Sequence, residues 1–235
     1  MTSARALIVN ADDFGQSPGV NRGIVEAHEH GIVTSASLMV RWPAAREAAA
    51  YARERPRLSV GLHLDLGEWA LRDGEWVPRY EVAPTSDARL VAAEVSRQIE
   101  AFRALLGRDP THIDSHQHVH RSEPARSGVL AAAAGLGVHV RHFGRARYCG
   151  AFYGQDAKGT SLAEALSPVA LVEILRELPP GLSELCCHPG YADDLDTTYQ
   201  TERSAEVRTL CCEPVRAALN ELGIRLVSFA DDLDL

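Results

Sequence analysis

Short apolar runs alternate along this chain with longer stretches in which apolar residues recur at helical spacing. Residues 6–10, Ala6-Leu7-Ile8-Val9-Asn10, read as a buried strand. Residues 19–30 read as a helix, with Val20, Ile24, Val25 and Ala27 on its inner face and Gly31 as its stop. Residues 34–40 are strand-like. Residues 43–55 are alanine-rich and helical, with Pro43 suited to a first turn and Pro56 beyond the end. Residues 58–66 give a third strand, and Asp73-Gly74 between Leu71 and Trp76 predicts a hairpin. Residues 86–106 form a long helix whose stripe is Leu90, Val91, Val95, Ile99, Phe102 and Leu106. A strand at 111–115, a helix at 124–136 and a strand at 138–143 follow. Residues 144–160 hold Gly, Tyr and Phe without periodicity and read as a loop or insertion. The pattern closes with a helix at 168–178, a strand at 182–187, one helix across 202–222 and a last strand at 224–228.

Repeated strand–helix units predict an α/β fold with a mostly parallel sheet and right-handed crossovers. About seven such units can close into a barrel or wind into an open sheet, and periodicity alone leaves both open. Either way the ligand is expected at the carboxyl ends of the strands. No low-complexity linker divides the 235 residues, so residues 1–235 are expected to form a single domain.

Composition narrows the function classes. The net charge is −8 and no lysine or arginine run occurs, which makes nucleic acid and anionic membrane poor partners. No apolar stretch is long enough to span a bilayer, and the first residues lack the apolar core and cleavage site of a signal peptide, so the cytoplasm is the expected location. The five cysteines, Cys149, Cys186, Cys187, Cys211 and Cys212, show no CxxC spacing and read as small buried apolar side chains. A homodimer is expected from the size class alone.

The chemistry gathers at the predicted strand ends. Thr111-His112-Ile113-Asp114-Ser115-His116-Gln117-His118-Val119-His120 holds four of the ten histidines. As an extended strand it would send residues 112, 114, 116, 118 and 120 to one face, which must then meet water, polar groups or a metal. Asp12 and Asp13 follow the first strand, His63 and Asp65 the third, and His188 a later one. A pair of Asp residues after a strand is often only a helix cap, and a lone His before Pro is often structural. Four segments delivering Asp or His to one rim instead read jointly as a metal site with spare acid and base groups. Neighbours in an extended segment point apart, so one carboxylate of Asp12-Asp13 would bind metal while the other faces the substrate. One Asp and two neutral His leave open positions on a divalent ion. A water held there becomes a nucleophile near neutral pH. The second Asp would take its proton, and a separate His would protonate the leaving group.

These motifs resemble those of the YdjC-like carbohydrate deacetylases: Asn10-Ala11-Asp12-Asp13-Phe14-Gly15, Gly61-Leu62-His63, residues 111–120, Ala151-Phe152-Tyr153-Gly154 and Cys187-His188-Pro189. They occur in family order, and the resemblance covers essentially the whole chain. It implies a distorted (β/α) barrel of the glycoside hydrolase/deacetylase type and one divalent metal, magnesium first, with zinc or another first-row ion chemically suited. Carried over residue by residue, Asp13, His63 and His116 would ligate the metal, and Asp12 would be the general base. His188 would be the acid or oxyanion stabiliser. The implied reaction is removal of an N-acetyl group from an amino sugar or acetylated oligosaccharide, with metal-bound water attacking the amide carbonyl. The chain is short between His63 and Ser86 and reads Pro-Gly-Tyr-Ala-Asp at 189–193, departures from the family pattern that touch the substrate rather than the metal.

Several assignments stay open at this level. His118 competes with His116 for the metal, His112 and His120 are expected to be supporting or structural, and Asp114 is placed to orient an imidazole. Phe152, Tyr153 and Tyr191 are expected at the substrate, with Trp69 and Trp76 as further stacking candidates. His28, His30, His139 and His142 read as solvated or structural. Two other readings use the same residues: a metal-independent glycosidase built on Asp12 and a second carboxylate, and a silent protein that binds metal and sugar without turnover.

Overall fold

The computed structural model describes residues 4–72, 74–191 and 193–231. Ten strands and seven helices alternate along them: β1 (Arg5–Phe14), α1 (Pro18–Glu29), β2 (Ser35–Leu38), α2 (Ala45–Glu54), β3 (Ser59–Leu64), β4 (Gly67–Arg72), β5 (Glu75–Glu81), α3 (Ala88–Leu106), β6 (His112–Ser115), α4 (Ala125–Leu136), β7 (His139–Val140), β8 (Arg147–Cys149), α5 (Pro168–Glu177), β9 (Gly181–Cys187), α6 (Thr201–Leu210), α7 (Glu213–Glu221) and β10 (Ile224–Leu226). Eight strands make one parallel sheet in the order β7-β6-β3-β2-β1-β9-β8, with β10 paired to the amino-terminal half of β1. The sheet curls into a partial barrel whose outside is covered by helices, as the strand–helix alternation predicts. The expected hairpin is present as β4 and β5. Its turn residue Asp73 lies outside the described residues.

Alternation along β1 divides the molecule into two environments. Leu7, Val9 and Ala11 join the large cluster packed against the helices. Ala6 and Ile8 point the other way and form a small apolar plug with Val227. Farther along the same inward face come Asn10 and Asp12, so the barrel interior turns from apolar to polar towards the carboxyl ends. Each apolar side chain fully buried in these layers contributes about 1.5–3 kcal/mol. The polar half must therefore satisfy itself by internal pairing. Gly61 on β3 belongs to that arrangement: a Cβ there would come within 2.5 Å of the His112 ring, and without it the imidazole lies inside the barrel, stacked on Phe229 at 3.9 Å.

Three elements depart from the sequence pattern. The segment 144–160 contains β8, which pairs with β9 through Arg147↔Ser183, Tyr148↔Glu184 and Cys149↔Leu185. The helix expected over 202–222 is two helices, because Pro214 at the first turn of α7 lacks the N–H needed to continue α6. The strand expected over 138–143 keeps only His139–Val140 in the ladder, and His142 turns to φ 71°.

Candidate active site

The first site motif is built by a β-bulge. The register of β1 against β2 shifts between Ala11 and Phe14, and Asp13 adopts φ 67°. A bulge breaks alternation. Asp12 and Asp13 therefore do not point apart, as an extended segment would require; both line one pocket. The long histidine motif is broken in a similar way. The strand stops at Ser115, a 3-10 turn occupies His116–Arg121, and Gln117 and His118 take left-handed conformations at φ 51° and 54°. The expectation of five side chains on one face is thus corrected. His112 and Asp114 share the inward face, both meeting the Ser37 hydroxyl, at 3.0 Å and 2.7 Å. His116, His118 and His120 each go elsewhere.

Asp13, His63 and His116 converge, with donor atoms within 4.8 Å of one another. Asp13 Oδ1 lies 3.3 Å from His63 Nε2 and 3.1 Å from His116 Nδ1. Asp114 Oδ1 faces the far nitrogen of His63 at 2.7 Å, which fixes the ring, and Glu68 lies 3.8 Å from the far nitrogen of His116. His118 is not in this group. The left-handed turn carries it to Tyr148, whose hydroxyl is 3.1 Å from its Nε2, and to His142. Burial, and then the Arg141 charge, press His118 down to about 3.

Arg141, which follows β7, is the hub of the interior and is fully buried. It donates to both oxygens of Asp12 at 2.6 Å and 2.7 Å and to Glu184 at 2.7 Å, and lies 2.8 Å from Asp114. Burial alone would raise the Asp12 carboxyl, but the guanidinium outweighs it and holds Asp12 below the usual range. Asp114 is lowered in the same way against its burial, by Arg141 and then His63. Arg203, on α6, binds the remaining oxygen of Asp13 at 2.6 Å, and this charge overcomes burial to keep Asp13 ionised.

Three lowered carboxylates thus face two guanidinium groups. The shortfall of positive charge appears on the imidazoles. Burial disfavours the cationic form of both, yet Asp114 and Asp12 raise His63 well above its ordinary value, and the Asp13 hydrogen bond and the nearby Glu68 carboxylate raise His116 to about 9. A divalent cation at Asp13 Oδ1, His63 Nε2 and His116 Nδ1 would supply the charge those protons supply. One carboxylate and two imidazoles are also a donor set first-row ions accept. The residues present fit a metal.

His188 follows β9 and lines the pocket beside Asp12. Its Nε2 is 3.9 Å from Asp12 Oδ2 and its Nδ1 is 4.0 Å from Glu206 Oε1, while its backbone N–H donates to Glu206. Burial presses the ring down to about 4, so it is neutral at neutral pH. Glu206 is pushed up to about 8 by its own burial, against the Tyr199 hydroxyl it accepts at 2.6 Å.

The pocket holds about 340 Å³. Phe152 lines it although only 1% exposed, and Tyr153 lines it while stacked on Tyr199 at 4.7 Å. Tyr191 is a correction: its hydroxyl donates to Glu26 at 2.7 Å and its N–H to the Gly19 carbonyl, which seats it against α1, outside the pocket lining. Trp69 and Trp76 also lie outside this lining; Trp69 is held by Gln117, which joins both its backbone N–H and carbonyl at 2.8 Å. Four contributors had no sequence signal of their own: Arg141, Arg203, Glu206 and Tyr199. The nearest hint was charge at helical spacing, Glu202-Arg203 and Glu206, where a solvated face would be assumed.

A family model described as YdjC-like protein matches residues 6–221. The chitooligosaccharide deacetylase of Serratia marcescens is 34% identical over 97% of this chain and 99% of its own length. That of Salmonella paratyphi B is 33% identical over the same shares. Among solved structures, an Enterococcus faecalis V583 protein named for cellobiose-phosphate cleavage superposes with a TM-score of 0.80 at 28% identity, covering 97% of this chain and 98% of that one. A family 4 carbohydrate esterase from Streptomyces lividans, solved with acetate, shares the fold alone: TM-score 0.58 at 11% identity, over 96% of this chain and 93% of its own. The chain belongs to the YdjC-like protein family.

Proposed function

We propose that this protein is a carbohydrate deacetylase, a metal-dependent hydrolase that removes N-acetyl groups from amino sugars or acetylated oligosaccharides. The activity class rests on the family and on relatives named chitooligosaccharide deacetylase. The observation that carries the mechanism is the meeting of Asp13 Oδ1, His63 Nε2 and His116 Nδ1 beside an independent carboxylate, Asp12, in one pocket. Asp13, His63 and His116 would hold the ion. Magnesium is the first candidate, and the two imidazoles suit zinc or another first-row ion equally well in chemical terms. Bound there, such an ion would supply Lewis acidity and lower the pKa of a water in the pocket.

The protein's own groups divide the remaining work. Asp12 is the general base. Its carboxylate is kept ionised and fixed in orientation by Arg141, so it is ready to accept a proton without moving. The same grip lowers its basicity, which leaves much of the driving force to the acidity of the water. His188, neutral and with its Nε2 3.9 Å from Asp12, donates from Nε2 to the developing oxyanion and passes that proton to the departing amine, and the proton that Asp12 took from the water replaces it. Phe152 and Tyr153 supply apolar wall for a sugar ring. Collapse of the tetrahedral carbon breaks the C–N bond and yields acetate and a free amine.

The test is acetate release from N-acetylglucosamine oligomers and related acetylated glycans, on protein stripped with chelator and restored with single metals. Release that returns with one metal supports the reading. Full activity after stripping, or cleavage of a glycosidic bond instead, overturns it.

A further inference from the structure

Helix α6 buries charge where a helix usually buries oil. Glu202, Arg203 and Glu206 are 5%, 3% and 0% exposed. Glu202 packs against Gly154 and Gln155, Glu206 accepts from the His188 backbone N–H, and Arg203 lines the pocket. Arg203 is the member that reaches the metal set. Its Nη2 donates to Asp13 Oδ2 at 2.6 Å and to Gln16 Oε1 at 3.3 Å, and its Nη1 donates to the His188 carbonyl at 3.3 Å. The chain leaves a lane for it at Gly190, where a Cβ would press on Arg203 Cδ and on the Val20 backbone, both at 3.2 Å.

The two oxygens of Asp13 therefore have different partners. Oδ1 is shared by His63 and His116, and Oδ2 belongs to Arg203. We infer that Arg203 is a positioning residue that confines Asp13 to one-oxygen ligation, an inference that rests on reading Asp13, His63 and His116 as the metal set. A carboxylate with both oxygens free can turn and chelate an ion through the pair, closing a position that water or substrate needs. The guanidinium prevents that rotation with a charge-assisted bond. It also holds a fixed positive charge 2.6 Å from Asp13 Oδ2, which would weaken ion binding while keeping the site open. A residue that only props up the fold would make metal affinity and turnover fall together. Arg203 is expected to move them in opposite directions.

The experiment compares wild type, Arg203→Gln and Arg203→Lys. Zinc is titrated calorimetrically into chelator-stripped protein, and steady-state acetate release is measured with N-acetylglucosamine oligomers. Arg203→Gln is expected to bind zinc about 10-fold more tightly, as one pKa-sized step of lost repulsion would give, and to lose at least 10-fold in kcat with a smaller change in KM. Arg203→Lys keeps the charge and loses the fork, so its zinc affinity stays near wild type while kcat is only partly retained. Zinc binding that weakens in step with kcat in Arg203→Gln, or stays unchanged, overturns the inference. A wild type that takes up no zinc removes the metal set and the inference with it. A wild type that binds zinc but releases no acetate from any acetylated glycan of the panel with any single metal restored sinks the deacetylase reading, and the affinity comparison alone then decides on Arg203.

Discussion

Asp12 and Asp13 are adjacent in sequence and different in chemistry because different cations hold them. Arg141 takes both oxygens of Asp12, whereas Arg203 takes one of Asp13 and leaves the other to two imidazoles. Asp12→Asn is accordingly expected to lower kcat by about 10²–10⁴ while metal content stays near that of wild type, measured by elemental analysis beside acetate release. Loss of metal in that variant would end the division of labour between the two residues. The raised imidazoles give a second expectation. His116 is lifted to about 9 in the metal-free protein. Below that pH an ion must displace its proton, so apparent metal affinity should rise as pH increases towards 9, with proton release seen as a buffer-dependent binding enthalpy. Affinity independent of pH between 6 and 9 would remove His116 from the set.

Among the elements, those with unbroken patterns were legible. The apolar run at 6–10 and the stripe of α3 predict β1 and α3, because burial on one side demands such spacing. The short β8 was not, since three residues completed by hydrogen bonds to β9 need no periodicity. The site was legible as residue types at strand ends, and its orientation was not: a bulge turns Asp13, and left-handed Gln117 and His118 redirect the histidines. The charged face of α6 was hidden because buried charge looks like surface charge in a sequence. That face has its own pH signature. Glu206 is raised to about 8 from an ordinary 4.5 by its burial. A raised carboxyl contributes stability that is full below its unfolded value and is lost as pH climbs through the folded one. Glu206→Gln should therefore flatten the fall in thermal stability between pH 5 and 8, by about 1 kcal/mol or more over that window. An unchanged slope would show that Glu206 is already ionised in the folded protein.

At the scale of the whole molecule, the interior is a charge network inside an incomplete barrel. Replacing Arg141 with Met would strand Asp12, Asp114 and Glu184 together, and breaking such a buried set should cost about 3–5 kcal/mol, read as a lowered midpoint in denaturant. A midpoint within error of wild type would mean the network relaxes into water. The sheet path ends at β7 on one side and β8 on the other, and these two share no ladder. What spans the interval is side chains: Arg141, following β7, is bonded to Glu184 of β9 and lies over the Tyr148 ring of β8 at 5.4 Å, and His142 meets the same ring at 4.3 Å. The barrel thus has a seam fastened by side chains, ion pairs chief among them, instead of backbone. Seams of that kind open by titration. As acid neutralises Asp12 and Asp114, the amides of β7 and β8 should exchange with solvent before those of β1, β3 and β9, and the pocket should come apart along that line while the rest of the sheet is still closed.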